Sequence, residues 1–98
     1  MQAIYLFTSK SLGLPSAVFS TYELAVNWIE KNYLSGILTE YPLDKSCYDW
    51  AIDNGHFKDR TPIDRAPTFI EKFVSAYQQN WHFEHGEQLC TQIMHKSA

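Results

Sequence analysis

The alternation of apolar and polar positions divides the chain into short elements of two kinds. Ala3 to Thr8 is an apolar, aromatic run of strand length, as a buried β-strand requires. Ser9 to Pro15 holds Gly13 and Pro15 and is expected to turn. Ala17-Val18-Phe19 offers a second short strand. Ser20 stands three residues before Glu23, the spacing at which a hydroxyl and a carboxylate cap each other's backbone N–H groups. The pattern that follows predicts a helix over Thr21 to Asn32, with Leu24, Ala25, Trp28 and Ile29 on one apolar stripe. On that stripe Trp28 is expected to be almost fully buried.

Gly36 breaks the chain, and Ile37 to Tyr41 is rich in strand formers. Ile37, Thr39 and Tyr41 share one face, Leu38 and Glu40 the other, and Pro42 ends the run or marks an edge. Ser46 with Asp49, and Gly55 beyond, bracket a short helix over 47–54. Tyr48, Trp50 and Ile52 also alternate as a strand would, but the two caps favour the helix. His56 to Ala66 is polar and reads as a surface loop. Pro67 suits the first position of a helix carrying Phe69, Ile70, Phe73 and Val74. From about Ala76 the period changes: Tyr77, Gln79, Trp81 and Phe83 alternate with polar residues up to Gly86, which predicts a half-buried strand over Ala76 to Glu84. Glu87 to His95 places Leu89, Cys90, Ile93 and Met94 on one helical face, so 86–98 reads as an appended helix or tail. The sum is one α+β domain over 1–98: a small, mainly antiparallel sheet of about three or four strands, packed by one main helix and about two or three short ones.

Composition narrows the class. A chain of 98 residues, 45% hydrophobic, has room for one core and not two. An aromatic content of 15% excludes disorder as the main state, and no apolar run approaches the roughly 20 residues of a membrane span. Eight Lys and Arg against a net charge of −3 make no basic face for nucleic acid or anionic lipid. A basic protein partner suits the charge. The start of the chain lacks the basic region of a signal peptide, and two cysteines, Cys47 and Cys90, make no disulfide scaffold. The expectation is a cytoplasmic protein with both thiols reduced.

Few constellations suggest chemistry. His82 and His85, with Cys90 and His95 beyond, have metal-ligand types, but on a strand the two imidazoles point to opposite faces. Cys47 with His56 lacks an oxyanion partner and reads as a small hydrophobe. Asp44, Asp49 and Asp53 form the densest acidic run, and on a helix Asp49 and Asp53 are neighbours whose repulsion invites a cation or a basic partner. The simpler account is that Asp49 caps its helix and Asp53 is solvated. The glycines are isolated, so no phosphate loop is present. The aromatic side chains outnumber what one small core hides, and exposed Trp and Tyr are the residues of interface hot spots.

The run Leu34-Ser35-Gly36-Ile37-Leu38-Thr39-Glu40-Tyr41-Pro42-Leu43-Asp44, followed by Tyr48-Asp49-Trp50-Ala51 and Gly55-His56-Phe57, resembles an uncharacterised family of small bacterial domains. Its members carry Leu-x-Gly-x-Leu-Thr-x-Tyr-Pro-x-Asp, then Tyr-Asp-Trp-Ala, then Gly-x-Phe. The resemblance spans about residues 3 to 86 and implies a bacterial, cytosolic domain without bringing an activity or catalytic residues. The succession of strands and helix is also similar to that of small bacterial immunity proteins, an analogy at the level of fold.

The function these observations favour is a non-catalytic protein-binding domain, an immunity-type or inhibitory partner of another, basic and toxin-like, bacterial protein. Its expected binding surface is Asp44, Tyr48, Asp49, Trp50, Asp53 and Phe57, where acidic and aromatic side chains alternate; a helix there turns either Tyr48 or Trp50 inward and leaves the other. No cofactor, metal or catalytic residue is expected on this reading. Two alternatives stand beside it: a small metal-dependent hydrolase or nuclease using Asp44, Asp49 and His56, and a structural domain that pairs with itself as a homodimer.

Overall fold

The computed structural model describes residues 2–11, 13–74 and 78–89. It is a small α+β fold built on a five-stranded antiparallel sheet. The strands are β1 (Ala3–Ser9), β2 (Pro15–Phe19), β3 (Gly36–Pro42), β4 (Asn80–Glu84) and β5 (Glu87–Gln88), in the spatial order β2-β1-β3-β4-β5. Both β2 and β3 run antiparallel to β1, so they are parallel to each other. A parallel return needs a crossover element, and α1 (Tyr22–Lys31) is that element. Two further helices, α2 (Cys47–Asp53) and α3 (Pro67–Lys72), lie with a 3-10 turn (Pro62–Arg65) between β3 and β4.

The helix start falls one residue later than the sequence reading. Thr21, not Ser20, is the N-cap, its hydroxyl accepting from Leu24 N at 3.2 Å. Ser20 is used up turning out of β2, and Glu23 sits too early in the helix to close a capping box. The apolar stripe is also turned from the one expected. Tyr22, Ala25, Val26 and Ile29 face the sheet, Ala25 and Ile29 fully buried, while Leu24 is 54% exposed. Trp28 is only half-buried, at the margin of the stripe, with its ring 5.5 Å from those of Phe7 and Phe19. The core beneath α1 joins Phe7 of β1, Leu38 of β3 and Phe83 of β4 to Ala25 and Ile29.

The helix ends in a Schellman motif. Leu34 N donates to Ile29 O at 3.1 Å and Tyr33 N to Glu30 O at 3.3 Å, with Tyr33 in the left-handed region at φ 53. Leu34 then packs beside Ile29's cluster, the apolar contact that accompanies such caps.

At Glu87 and Gln88, the start of the segment expected to be an appended helix or tail, the chain forms the strand β5 instead of a helix. His85 and Gly86, at φ 51 and 84, make a tight two-residue turn of the kind that joins twisted strands. The turn sends Glu87 and Gln88 back along Phe83 and Glu84. Residues 90–98, with Cys90 and His95, lie outside the described residues, as do Ala76 and Tyr77 of the strand expected over Ala76 to Glu84, which is observed from Asn80. The loop expected over His56 to Ala66 contains the 3-10 turn. There Thr61 and Asp64 form a full capping box: Asp64's carboxylate accepts from Arg60 N at 2.9 Å and Thr61 N at 3.2 Å. Pro67 opens α3 as expected.

Candidate functional site

Helix α2 is positioned by the cap that its sequence announces. Ser46 Oγ accepts from Asp49 N at 2.9 Å and donates to the Asp49 carboxylate at 3.0 Å. Helical spacing then sorts the side chains. Tyr48 and Ala51 turn inward, at 7% and 1% exposure, while Asp49, Trp50 and Asp53 fall on the outward stripe. Tyr48 is therefore the aromatic that packs inward. Its ring lies 5.5 Å from Phe73 and 5.8 Å from Phe57, and its hydroxyl donates to Asp64 O at 2.8 Å. Burial pushes its phenol pKa up. Phe57 and Phe69 stack at 5.7 Å in the same cluster, a second small core separate from that under α1. Tyr48 and Phe57 thus hold α2, the 57–64 loop and α3 together; Tyr48 is buried away from the surface that the sequence suggested, while Phe57 is half-buried and still borders it.

Of the six expected residues, all but Tyr48 keep exposed surface. Trp50 stacks on His56 at 5.3 Å with the rings 29° apart. Asp49 is tied to Ser46, Asp53 pairs with Lys45, and Asp44 holds the exposed turn after β3 at φ 61. The repulsion expected between Asp49 and Asp53 is thereby relieved within the chain. Beyond His56 the surface changes sign: Lys58 and Arg60 border an open hollow of about 370 Å³ with Gly55, His56 and Phe57. Among the described residues no three of His, Cys, Asp or Glu converge as metal ligands. Asp44, Asp49 and His56, the residues of the hydrolase alternative, assemble no such centre, and neither do His82 on β4 and His85 in its turn.

A second concavity lies on the face of the sheet opposite α1. Strand alternation puts Ile37, Thr39 and Tyr41 of β3 there with Asn80 and His82 of β4, Ile37 opposite His82 and Thr39 opposite Asn80. Val74 and Gln78 close one side of a cleft of about 340 Å³. Tyr41's phenol pKa is raised, by burial first and Cys47 second, so its hydroxyl keeps its proton at neutral pH. Sequence reasoning missed Gln78 as a site residue. It read there only as a polar position near a change of period, and nothing local distinguishes a buried glutamine from a solvated one.

The fold and its two surface features define a small α+β domain, with an acidic, tryptophan-centred helix face on one part and a polar cleft that includes His82 on another. The chain belongs to DUF7710, a domain of unknown function, whose match covers residues 4–89. An uncharacterised family of small domains was the expectation, and the match runs past Gly86 to include the β5 segment. No curated protein and no solved structure matches the chain.

Proposed function

We propose that this chain is a non-catalytic protein-binding domain whose partner docks on the outward face of α2. One observation carries the reading: Trp50 stands half-buried between Asp49 and Asp53, stacked on His56, on a helix whose other face is committed to the aromatic cluster. A pre-ordered Trp offers large contact area at little entropic cost. Flanking carboxylates steer a basic partner and set its orientation. In finer form, the domain is a bacterial, cytoplasmic inhibitor of the immunity type, covering a basic, toxin-like protein.

The test captures partners from extracts of the producing cell with the native chain and with Trp50→Ala, then measures the purified partner. Trp50→Ala should weaken binding by about 30-fold or more, the equivalent of roughly 2 kcal/mol. Asp49→Lys with Asp53→Lys should slow association and flatten its salt dependence. Unchanged affinity and on-rate in both variants exclude this face as the interface.

Self-association is the second reading, and the free edge of the sheet favours it. Among the described residues β2 borders only β1, Leu14 to Ser20 carries no charge, and Val18 is 60% exposed. Uncharged edges of this kind are templates for strand pairing. A concentration-dependent dimer in sedimentation, abolished by Val18→Lys, is the expected result; a monomer at all concentrations discards it.

A further inference from the structure

The outward surface around α2 is divided in sign, and its two halves complement each other. On one side stand Asp49 and Asp53, on the same helix face as Trp50. Beyond the Trp50–His56 stack the loop carries Lys58 and Arg60, which border the hollow of about 370 Å³. The intervening Asp59 is taken by Arg65 at 3.3 Å. Among the described residues Lys58 and Arg60 have no carboxylate partner, so no ion pair crosses from one half to the other. Asp53 is held by Lys45, yet its side chain stays 54% exposed. A surface pair of that kind is weak, which leaves the carboxylate open to a second cation. Asp49 is likewise exposed, and Ser46 fixes its carboxylate without neutralising it.

An occupant of this surface must answer both signs. A wholly basic surface meets Asp49 and Asp53 but sets like charge against Lys58 and Arg60, which opposes docking. A second copy of the chain answers both. In a two-fold dimer the same patch faces itself, so each contact occurs twice with its partners exchanged. A patch of one sign would repel its own copy, whereas a patch acidic on one side of an axis and basic on the other attracts it at both ends. The boundary here is the stacked pair of rings. Apolar contact therefore falls at the centre and charge at the rim, the arrangement of specific interfaces.

We propose that the chain forms a two-fold dimer through this surface, Asp49 and Asp53 of each copy facing Lys58 and Arg60 of the other, with the Trp50–His56 stacks meeting at the axis. The patch is one short helix and a loop, so the dimer belongs with the small, transient interfaces, those below about 1,200 Å². The proposal rests on the reading of the α2 face as a docking surface and adds that a second copy occupies it until a foreign partner displaces that copy.

The experiment follows association of the purified intact chain by analytical ultracentrifugation, from micromolar to millimolar concentration. At low salt a monomer–dimer equilibrium is expected, weakened at least about tenfold in about 1 M salt, where the Debye length is only about 3 Å. Trp50→Ala should weaken it by a similar factor. Lys58→Glu with Arg60→Glu makes the patch acidic on both sides, and Asp49→Lys with Asp53→Lys makes it basic on both. Each variant should be monomeric alone, and an equimolar mixture should restore a dimer at least as tight as the native one. Circular dichroism checks each fold. Because Asp49 also serves the α2 cap, Asp53→Lys alone replaces the basic double variant if that unfolds. Val18→Lys should leave the dimer intact, which separates it from pairing through β2. A monomer at every concentration, a dimer that both reversals leave unchanged, a mixture no more associated than its components, or loss of the dimer in Val18→Lys overturns the proposal. No foreign partner enters these measurements. A monomer therefore leaves the α2 reading to the capture experiment, while a dimer with nothing captured keeps this proposal and removes the foreign partner.

Discussion

Gly36→Ala tests the geometry at the centre of the sheet with the smallest possible change. Gly36 begins β3, pairing with Ser9 on one side and Phe83 on the other. A Cβ at this position would lie 2.3 Å from Thr8 O and 2.6 Å from Phe7 Cζ. Ordinary contact begins near 3.4 Å, so the shortfall to the carbonyl is 3.4 − 2.3, about 1.1 Å. Phe7 is a buried core ring, and Thr8 O belongs to the backbone of the neighbouring strand, so neither yields cheaply. Overpacking of this kind costs about 1–3 kcal/mol, and a backbone contact belongs at the upper end. The stiffer unfolded chain of the alanine variant returns about 0.4–1 kcal/mol. A net loss of about 2 kcal/mol remains, which should lower Tm by roughly 8–16 °C in a domain of this size. Urea denaturation followed by tryptophan fluorescence measures it, with a shifted midpoint and an unchanged slope. Phe7→Leu removes Cζ but leaves Thr8 O. The two substitutions should therefore couple by about 0.5–1 kcal/mol, the double variant losing less than the sum. A loss below about 0.5 kcal/mol in the single variant refutes the close approach, and strict additivity refutes the part assigned to Phe7.

Three further outcomes are expected. Ile29→Ala should cost about 2–5 kcal/mol and Leu24→Ala less than about 0.5 kcal/mol, measured in the same urea assay, because the first is enclosed under α1 and the second faces water. Tyr33→Gly should stabilise the chain by about 0.5–1 kcal/mol in a thermal melt, because a left-handed C-terminal position costs a side chain what glycine avoids, and Tyr33 is 75% exposed with little packing to lose. The backbone N–H groups of Arg60 and Thr61 hold Asp64's carboxyl below its usual range, as Lys10 does for Glu84. Folded values below unfolded ones mean stability present at neutral pH and lost as pH falls through the ordinary carboxylate range, near pH 4, towards those lower values; Asp64→Asn should lower Tm at pH 7 and make its decline towards acid shallower.

Signals confined to a few residues were the ones that sequence reading caught. Ser46 with Asp49, Gly55, and Pro67 each act through their own neighbours, and α2 and α3 lie where these residues place them. The strands β1 and β3 were legible for the same reason, since an apolar run or an alternation is complete in itself. Where two local signals competed, tertiary structure chose. Ser20 and Thr21 are equally good caps in isolation, and the end of β2 at Phe19 decides for Thr21. Which stripe meets the sheet is set separately, by the fit of Ala25 and Ile29 against Phe7, Leu38 and Phe83, and that fit leaves Leu24 outside and Trp28 at the margin. The Thr61-Pro62-Ile63-Asp64 box and the His85-Gly86 turn had local signatures too, but polar composition concealed the first, and the second lacks the Asn or Asp that usually marks a hairpin.

The aromatic residues show why the site was harder to read than the fold. The excess of rings suggested that many must be exposed, because one core of this size cannot hide them. The chain instead makes two aromatic cores. Tyr5, Phe7, Phe19, Tyr22, Trp28, Trp81 and Phe83 gather under or beside α1, and Tyr48, Phe57, Phe69 and Phe73 join the elements between β3 and β4. No local pattern announces the second core, since its members come from a helix, a loop and another helix. Once both are subtracted from the described rings, Tyr41 lines the cleft over β3 and β4, while Trp50 remains on the outward stripe of α2 and Tyr33 on a strained helix end, neither needed to close a core. Trp50 and Tyr33 are what the packing of the two cores does not explain. Of the two, only Trp50 sits among carboxylates on an ordered helix, which makes it the residue whose removal should separate binding from folding.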